Sequence, residues 1–219
     1  ITSLRALDPK LVERIHAYGG IIFHDIINVR HAEKAIEAGV DGLVLVCAGA
    51  GGHAGTLSPF ALVSEIKQFF DGPIALSGSI ANGAAILSAQ ALGADFAYIG
   101  TRFIASKEAN AEQAYKTMLV ESSAKDIVYS SLFTGVHGNY LKPSISNAGL
   151  DPDDLEQGDK NKMKFGSEGG SKSKAWKDIW GAGQGLGSIA DITDVATIVA
   201  RFKTEYDLAL SRLNGLNNQ

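Results

Sequence analysis

The sequence predicts an α/β protein: a (β/α)8 TIM-type barrel lacking its first three βα units, followed by a C-terminal helical and loop extension. Three observations carry this reading. Over the first 120 residues, short unbroken apolar runs alternate with amphipathic stretches, which is the pattern of repeated βαβ units around a parallel sheet. The phrases AIEAGVDGLVLV and AQALGADFAYIG repeat one plan of helix, glycine stop, acidic residue and buried strand. Only five strands can be counted where a barrel needs eight, and the chain opens inside an apparent strand.

The strands come first. Ile1-Thr2-Ser3-Leu4 reads as a strand tail, followed by runs at 21–23, 42–47, 73–76 and 96–99. None alternates, so each suits a strand buried on both faces. Helices are predicted between them at 7–18, 29–38, 58–70, 81–92 and 107–120. Asp8-Pro9 and Ser58-Pro59 supply cap and first-turn residues, and Gly39 and Gly93 supply stops. The pattern then changes. Residues 126–150 carry aromatics and turn residues without a clear period, and 151–178 are polar with six lysines from Lys160 to Lys177, a solvated loop. A last helix over 191–213 aligns Ile192, Val195, Val199, Phe202 and Tyr206 and packs back on the body. Two parts result: a barrel part at 1–125 and an extension at 126–219.

Composition narrows the function. The 219 residues carry Lys+Arg 20 against Asp+Glu 24, a net charge of −4, which offers no footprint for nucleic acid or an anionic membrane. The single Cys47 excludes an intrachain disulfide and a thiolate metal set and points to a reducing compartment, most simply the cytoplasm. No apolar run reaches the roughly 18 residues of a membrane helix. No signal peptide opens the chain.

The 25 glycines cluster where chemistry would sit. The run AGAGGHAGT after GLVLVC puts Gly51, Gly52 and His53 at the carboxyl end of a strand, where barrel enzymes keep their reactive groups. Glycine lets backbone approach a flat or anionic ligand, and imidazole is the usual base for a carbon-bound proton near neutral pH. Ser77-Gly78-Ser79 and Gly100-Thr101 end the last two strands before the extension, the loops that form a barrel's phosphate site. His24 also ends a strand and could face that mouth. There is no P-loop, and GAGQGLG at 181–187 follows no buried strand, so it is not read as a dinucleotide fingerprint. His16, His24, His31 and His137 make no metal spacing.

AGAGGHAGT, LSGSIANG and ADFAYIGTRFIAS, with FTGVHGNYLKPSI and WGAGQGLGSI later, resemble the nitronate monooxygenases, formerly the 2-nitropropane dioxygenases. The resemblance runs through most of the chain. It implies FMN across the barrel mouth without metal, its phosphate held at Gly78, Ser79, Gly100 and Thr101, with Ser77 also binding the cofactor, its ring near Gly51 and Gly52, and Gln184 approaching from the extension. It implies His53 as base or anion-positioning group, and oxidation of alkyl nitronates such as propionate 3-nitronate by O2 to a carbonyl compound and nitrite. A homo-oligomer is allowed. The chain departs from the family pattern at Val46, where an acid is common, at His24-Asp25, near an expected lysine, and at Ser79, where a second glycine is common.

Two other readings stay open. A flavin-dependent enoyl-thioester (enoyl-acyl carrier protein) reductase would share the GGHxG loop and phosphate turns but needs NAD(P)H and an acyl-carrier surface, and no basic docking patch is evident. A non-catalytic partial-barrel binding module would leave open sheet edges. A phosphosugar-binding barrel is disfavoured, since no Lys or Glu ends a strand.

Overall fold

The computed structural model describes residues 1–3, 7–156 and 178–216. Its strands are β1 (Phe23–Ile26), β2 (Gly42–Val46), β3 (Gly52–His53), β4 (Ile74–Ser77), β5 (Phe96–Ala97), β6 (Ile127–Ser130) and β7 (Gly138–Leu141). The helices are α1 (Pro9–His16), α2 (Val29–Glu37), α3 (Pro59–Ile66), α4 (Gly83–Leu92), α5 (Thr101–Ile104), α6 (Gln113–Glu121), α7 (Lys142–Asn147) and α8 (Val195–Leu216). The lysine run from Lys160 to Lys177 lies outside the described residues.

Four strands form a parallel sheet in the order β1-β2-β4-β5, and Thr2 extends it by a parallel bridge to His24. These are five consecutive positions of a (β/α)8 barrel, the arc the apolar runs predict. β2 shows why its run does not alternate. Leu43 and Leu45 pack outward with Leu62, Val63 and Ile66 of α3, while Val44 and Val46 pack inward with Ala75 and Phe23. Both faces are buried, so both need apolar side chains.

Local signals set the helix ends. Asp8 caps α1, Asn28 caps α2 and Asn82 caps α4 through side-chain oxygens that accept backbone N–H groups. Gly93 ends α4 at φ 104°, which glycine adopts without a Cβ penalty.

Four expectations are corrected. The strand expected at 21–23 runs Phe23–Ile26, so His24 lies within it instead of ending it. The strand at 96–99 stops at Ala97, because the chain turns at Gly100 into α5. The helix at 107–120 starts at Gln113, because Ser106 bridges Thr193 and Lys107 donates to the Thr193 carbonyl. In α8 the buried residues are Ile198 and Phe202, while Val199 is 53% exposed. Gly83 explains the rotation of that helix. A Cβ there would lie 2.2 Å from the Phe202 carbonyl oxygen, so the α8 backbone sits directly on α4, and Glu205 accepts from the Gly83 N–H at 2.7 Å.

The aperiodic stretch after Ser123 holds a second, antiparallel sheet in the order β3-β7-β6. Its inner strand is buried throughout, and its edge β3 consists of the two residues Gly52 and His53.

Candidate functional site

The first part of the site is a cradle of backbone. After β2 the chain runs through Gly49 and Gly51, after β4 through Gly78 and Ser79, and after β5 through Gly100 and Thr101. The segment 183–185 closes the fourth side. Ser77, Gly78, Ser79, Gly100, Thr101 and Gly51 line one small space of about 30 Å³, flanked by Gly183 and Gly185. The walls are tied to each other: Ser79 N and Gln184 N donate to the Gly49 carbonyl at 3.3 and 2.9 Å, and Gly183 N donates to Thr101 Oγ1 at 2.9 Å.

Glycine is required by the closeness of these walls. A Cβ on Gly49 would lie 2.1 Å from Ser79 Oγ, and one on Gly51 would lie 2.7 Å from Gly183 N. A Cβ on Gly100 would meet nothing within 4 Å, because it would project into the open space itself. Ser79 sits at φ 55°, the left-handed region, and is the one non-glycine residue at positive φ among the described residues. That backbone demand accounts for the commonness of glycine there.

The cradle suits an anion. In α5 the Phe103 and Ile104 N–H groups donate to the Gly100 carbonyl, so those of Thr101 and Arg102 are the ones at its start without an intrahelical acceptor. Thr101 Oγ1 accepts from Gly183 N, which leaves its own O–H to donate. Buried Arg102 anchors this turn, donating to the Ala105 carbonyl and to both the carbonyl and the carboxylate of Asp191. The glycine run at 181–187, with no strand before it, forms the fourth wall. It is held there by β7, where the Asn139 carbonyl accepts from Ala182 N at 3.3 Å, and by Tyr115, which stacks on Trp180 and donates to the Gly181 carbonyl; the Asn139 side chain in turn donates to the Ala50 carbonyl at 2.7 Å.

The second part is a groove of about 590 Å³ lined by His53, His24, Asp25, Val46, Ala54 and His137, among others. Sequence-predicted His53 and His24 thus share one groove, while Gly52 lies between cradle and groove in β3. The Gln184 side chain lies against Gly49. His53 is held from several sides. Its backbone pairs with Gly138 of β7, and Ala54 N donates to the His137 carbonyl at 3.3 Å. Tyr129 stacks on His137 and donates to the Ala54 carbonyl at 2.8 Å. His53 Nε2 lies 2.8 Å from Thr134 Oγ1.

Burial lowers the pKa of His53, so its neutral form persists below the ordinary imidazole range. His24 is lowered by burial and then by His31, and its Nδ1 lies 2.7 Å from Thr2 Oγ1. Asp25, in register with inward-facing Val44, is raised mainly by burial, and its Oδ1 is shielded without a hydrogen-bond partner. Cys47 is buried with its thiol pushed up to about 12, which leaves it an unreactive core residue. Among the described residues no three His, Cys, Asp or Glu side chains cluster to hold a metal ion.

Sequence reasoning missed Thr134, Tyr129, His137, Asn139 and Asp25 as parts of the site. The motif FTGVHGNYL holds Thr134, His137 and Asn139, but nothing in their local pattern marks contacts made to residues some 80 positions earlier.

Fold and site define a partial-barrel protein with a glycine-walled cradle at the ends of β2, β4 and β5 and a histidine in the adjoining groove. The chain belongs to the nitronate monooxygenase family, whose members are flavin oxidoreductases; the family model matches residues 1–202. It is 31% identical over 134 residues to a nitronate monooxygenase of Paraburkholderia phytofirmans, a match that covers 57% of this chain and 37% of that protein. The chain therefore spans under half the length of that relative. Among solved structures, FabK from Thermotoga maritima superposes with a TM-score of 0.76 at 23% identity, covering 98% of this chain and 70% of that one. The nitroalkane oxidase of Streptomyces ansochromogenes gives 0.72 at 20% identity, covering 96% and 65%. Both are likenesses of fold.

Proposed function

We propose that this chain carries the FMN and substrate sites of an enzyme that oxidises alkyl nitronates, such as propionate 3-nitronate, with O2 to a carbonyl compound and nitrite. The observation that carries the reading is the pairing of a glycine-walled cradle with a groove in which a half-buried histidine is held by its backbone pairing with Gly138 and its ring contact to Thr134.

The cradle fits the phosphate of FMN. It is a small space walled by backbone and two hydroxyls, the chemistry a phosphate group needs. Backbone N–H groups at Gly78, Gly100 and Thr101 and the hydroxyls of Ser79 and Thr101 would surround that phosphate. Gly51 and Gly52 would let the ring lie against backbone, and Gln184 stands beside it. Bound there, FMN supplies electron exchange between the nitronate and O2. His53, neutral at physiological pH, takes the α-proton of a neutral nitroalkane or hydrogen-bonds the anionic substrate.

Oxygen uptake with propionate 3-nitronate, without nicotinamide, tests the reading in flavin-loaded protein. Nitrite release in step with oxygen uptake is the expected result. NADH oxidation that depends on an enoyl thioester, with no response to nitronate, would replace it by a reductase. Protein that retains no flavin would favour a binding module.

A further inference from the structure

We propose that Thr134 is a positioning residue for His53, fixing the ring as the tautomer with its proton on Nε2 and its lone pair on Nδ1. The inference rests on the reading of His53 as a base and adds which nitrogen does the work.

The argument is a count of protons. Three groups lie at hydrogen-bond distance from Thr134 Oγ1, His53 Nε2 at 2.8 Å, the Val136 carbonyl oxygen at 3.0 Å and Val136 N at 3.3 Å, and the Tyr140 phenol is a further neighbour. A hydroxyl has one proton to donate and two lone pairs to accept with. The carbonyl can only accept, so the hydroxyl proton goes to Val136 O. The amide N–H can only donate, so it takes one lone pair. The shortest of these contacts, 2.8 Å, assigns the other to His53, and a neutral imidazole that donates from Nε2 carries its lone pair on Nδ1. Thr134 is 2% exposed, so water does not compete for the hydroxyl. Burial keeps His53 neutral, which makes the tautomer matter. The titratable groups around the pair are Tyr140 beside Thr134, the Tyr129–His137 stack against Ala54, and His24 and Asp25 lining the same groove. Burial raises both tyrosines, so each is a neutral phenol.

Nitrogen NMR of ¹⁵N-histidine-labelled protein at pH 8 reads the tautomer directly, with His53 assigned by its loss in His53→Asn. The wild type is expected to show an Nε2-protonated ring. Thr134→Val is expected to mix the tautomers and to lower kcat on a neutral nitroalkane about tenfold, the value of one oriented hydrogen bond, and to lower turnover of preformed nitronate much less. Thr134→Ser restores both. A wild-type ring protonated on Nδ1 overturns the proposal, as does a Thr134→Val ring unchanged in tautomer. If Thr134→Val fails to fold, the wild-type and Thr134→Ser spectra still decide. A tautomer that shifts as expected while both substrates lose rate equally leaves the positioning role standing and removes the base.

Discussion

The parallel arc and the antiparallel flap of β3, β7 and β6 hold the two halves of one site by different means. The arc is built on burial. Leu43, Leu45, Leu62 and Ile74 are fully buried, and the loops at its strand ends inherit their positions from that packing. The flap has its own buried residues, Tyr140 and Leu141, but it holds the loop after β2 through a few polar contacts between distant residues: His53 with Thr134, Tyr129 with Ala54, and Asn139 with Ala50. The difference teaches where each function resides. A cradle for a phosphate needs rigid backbone, which a buried sheet provides. A base needs one defined ring orientation, which hydrogen bonds provide.

The largest effect is expected at the junction of the two. His53→Asn should lower turnover of a neutral nitroalkane by roughly 10²–10⁴, the usual worth of a general base, and leave preformed nitronate much less affected. Steady-state kinetics on both substrates checks this, and equal losses would remove His53 as base. The same assay against pH sharpens the point. Burial lowers the imidazole pKa, so the neutral base survives as pH falls, and kcat/KM should drop only below pH 6.5, the ordinary histidine value. A drop that begins above it would show an opposing charge in the groove.

Stability should separate arc from flap. Leu45→Ala removes a fully buried side chain of the arc and should cost about 2–5 kcal/mol in denaturant unfolding. Tyr129→Phe removes one half-buried hydrogen bond of the flap and should cost about 1 kcal/mol. Similar losses would mean that the flap folds as part of the core.

The cradle can be closed without touching either sheet. Gly49→Ala adds a methyl where 2.1 Å is available to Ser79 Oγ, at φ 82°. Ser79 must move, at a cost of about 1–2 kcal/mol from backbone strain, and flavin retained through gel filtration should fall sharply. Full retention would place the phosphate elsewhere.

The smallest effect is expected at Asp25. Burial raises its pKa above 3.8, so the folded protein holds the proton more firmly than the unfolded chain does. Stability from this group is then lost as pH rises through the folded value, and Asp25→Asn should raise Tm slightly at pH 7. The gain should vanish below pH 3.8, where both states are protonated. A lower Tm at pH 7 would show a favourable partner for the carboxylate.

The sequence by itself determined the barrel arc, because strands buried on both faces and helices buried on one leave a periodic record in neighbouring residues. It determined the glycine turns as well: Gly49, Gly78 and Gly93 occupy conformations that side chains resist, and that demand is local. Where the record is brief it misleads by a few residues, as at His24, inside β1 instead of at its end. The tertiary structure alone decided the rest. β3 is two residues long and has no period to read, and Val199 turned outward only because Gly83 admits the backbone of α8. Gln184 reached the cradle because Asn139, Trp180 and Tyr115 dock its segment there. Thr134 became the holder of His53 through a hydrogen bond spanning 81 residues, and a contact between two polar side chains leaves no pattern in the sequence around either.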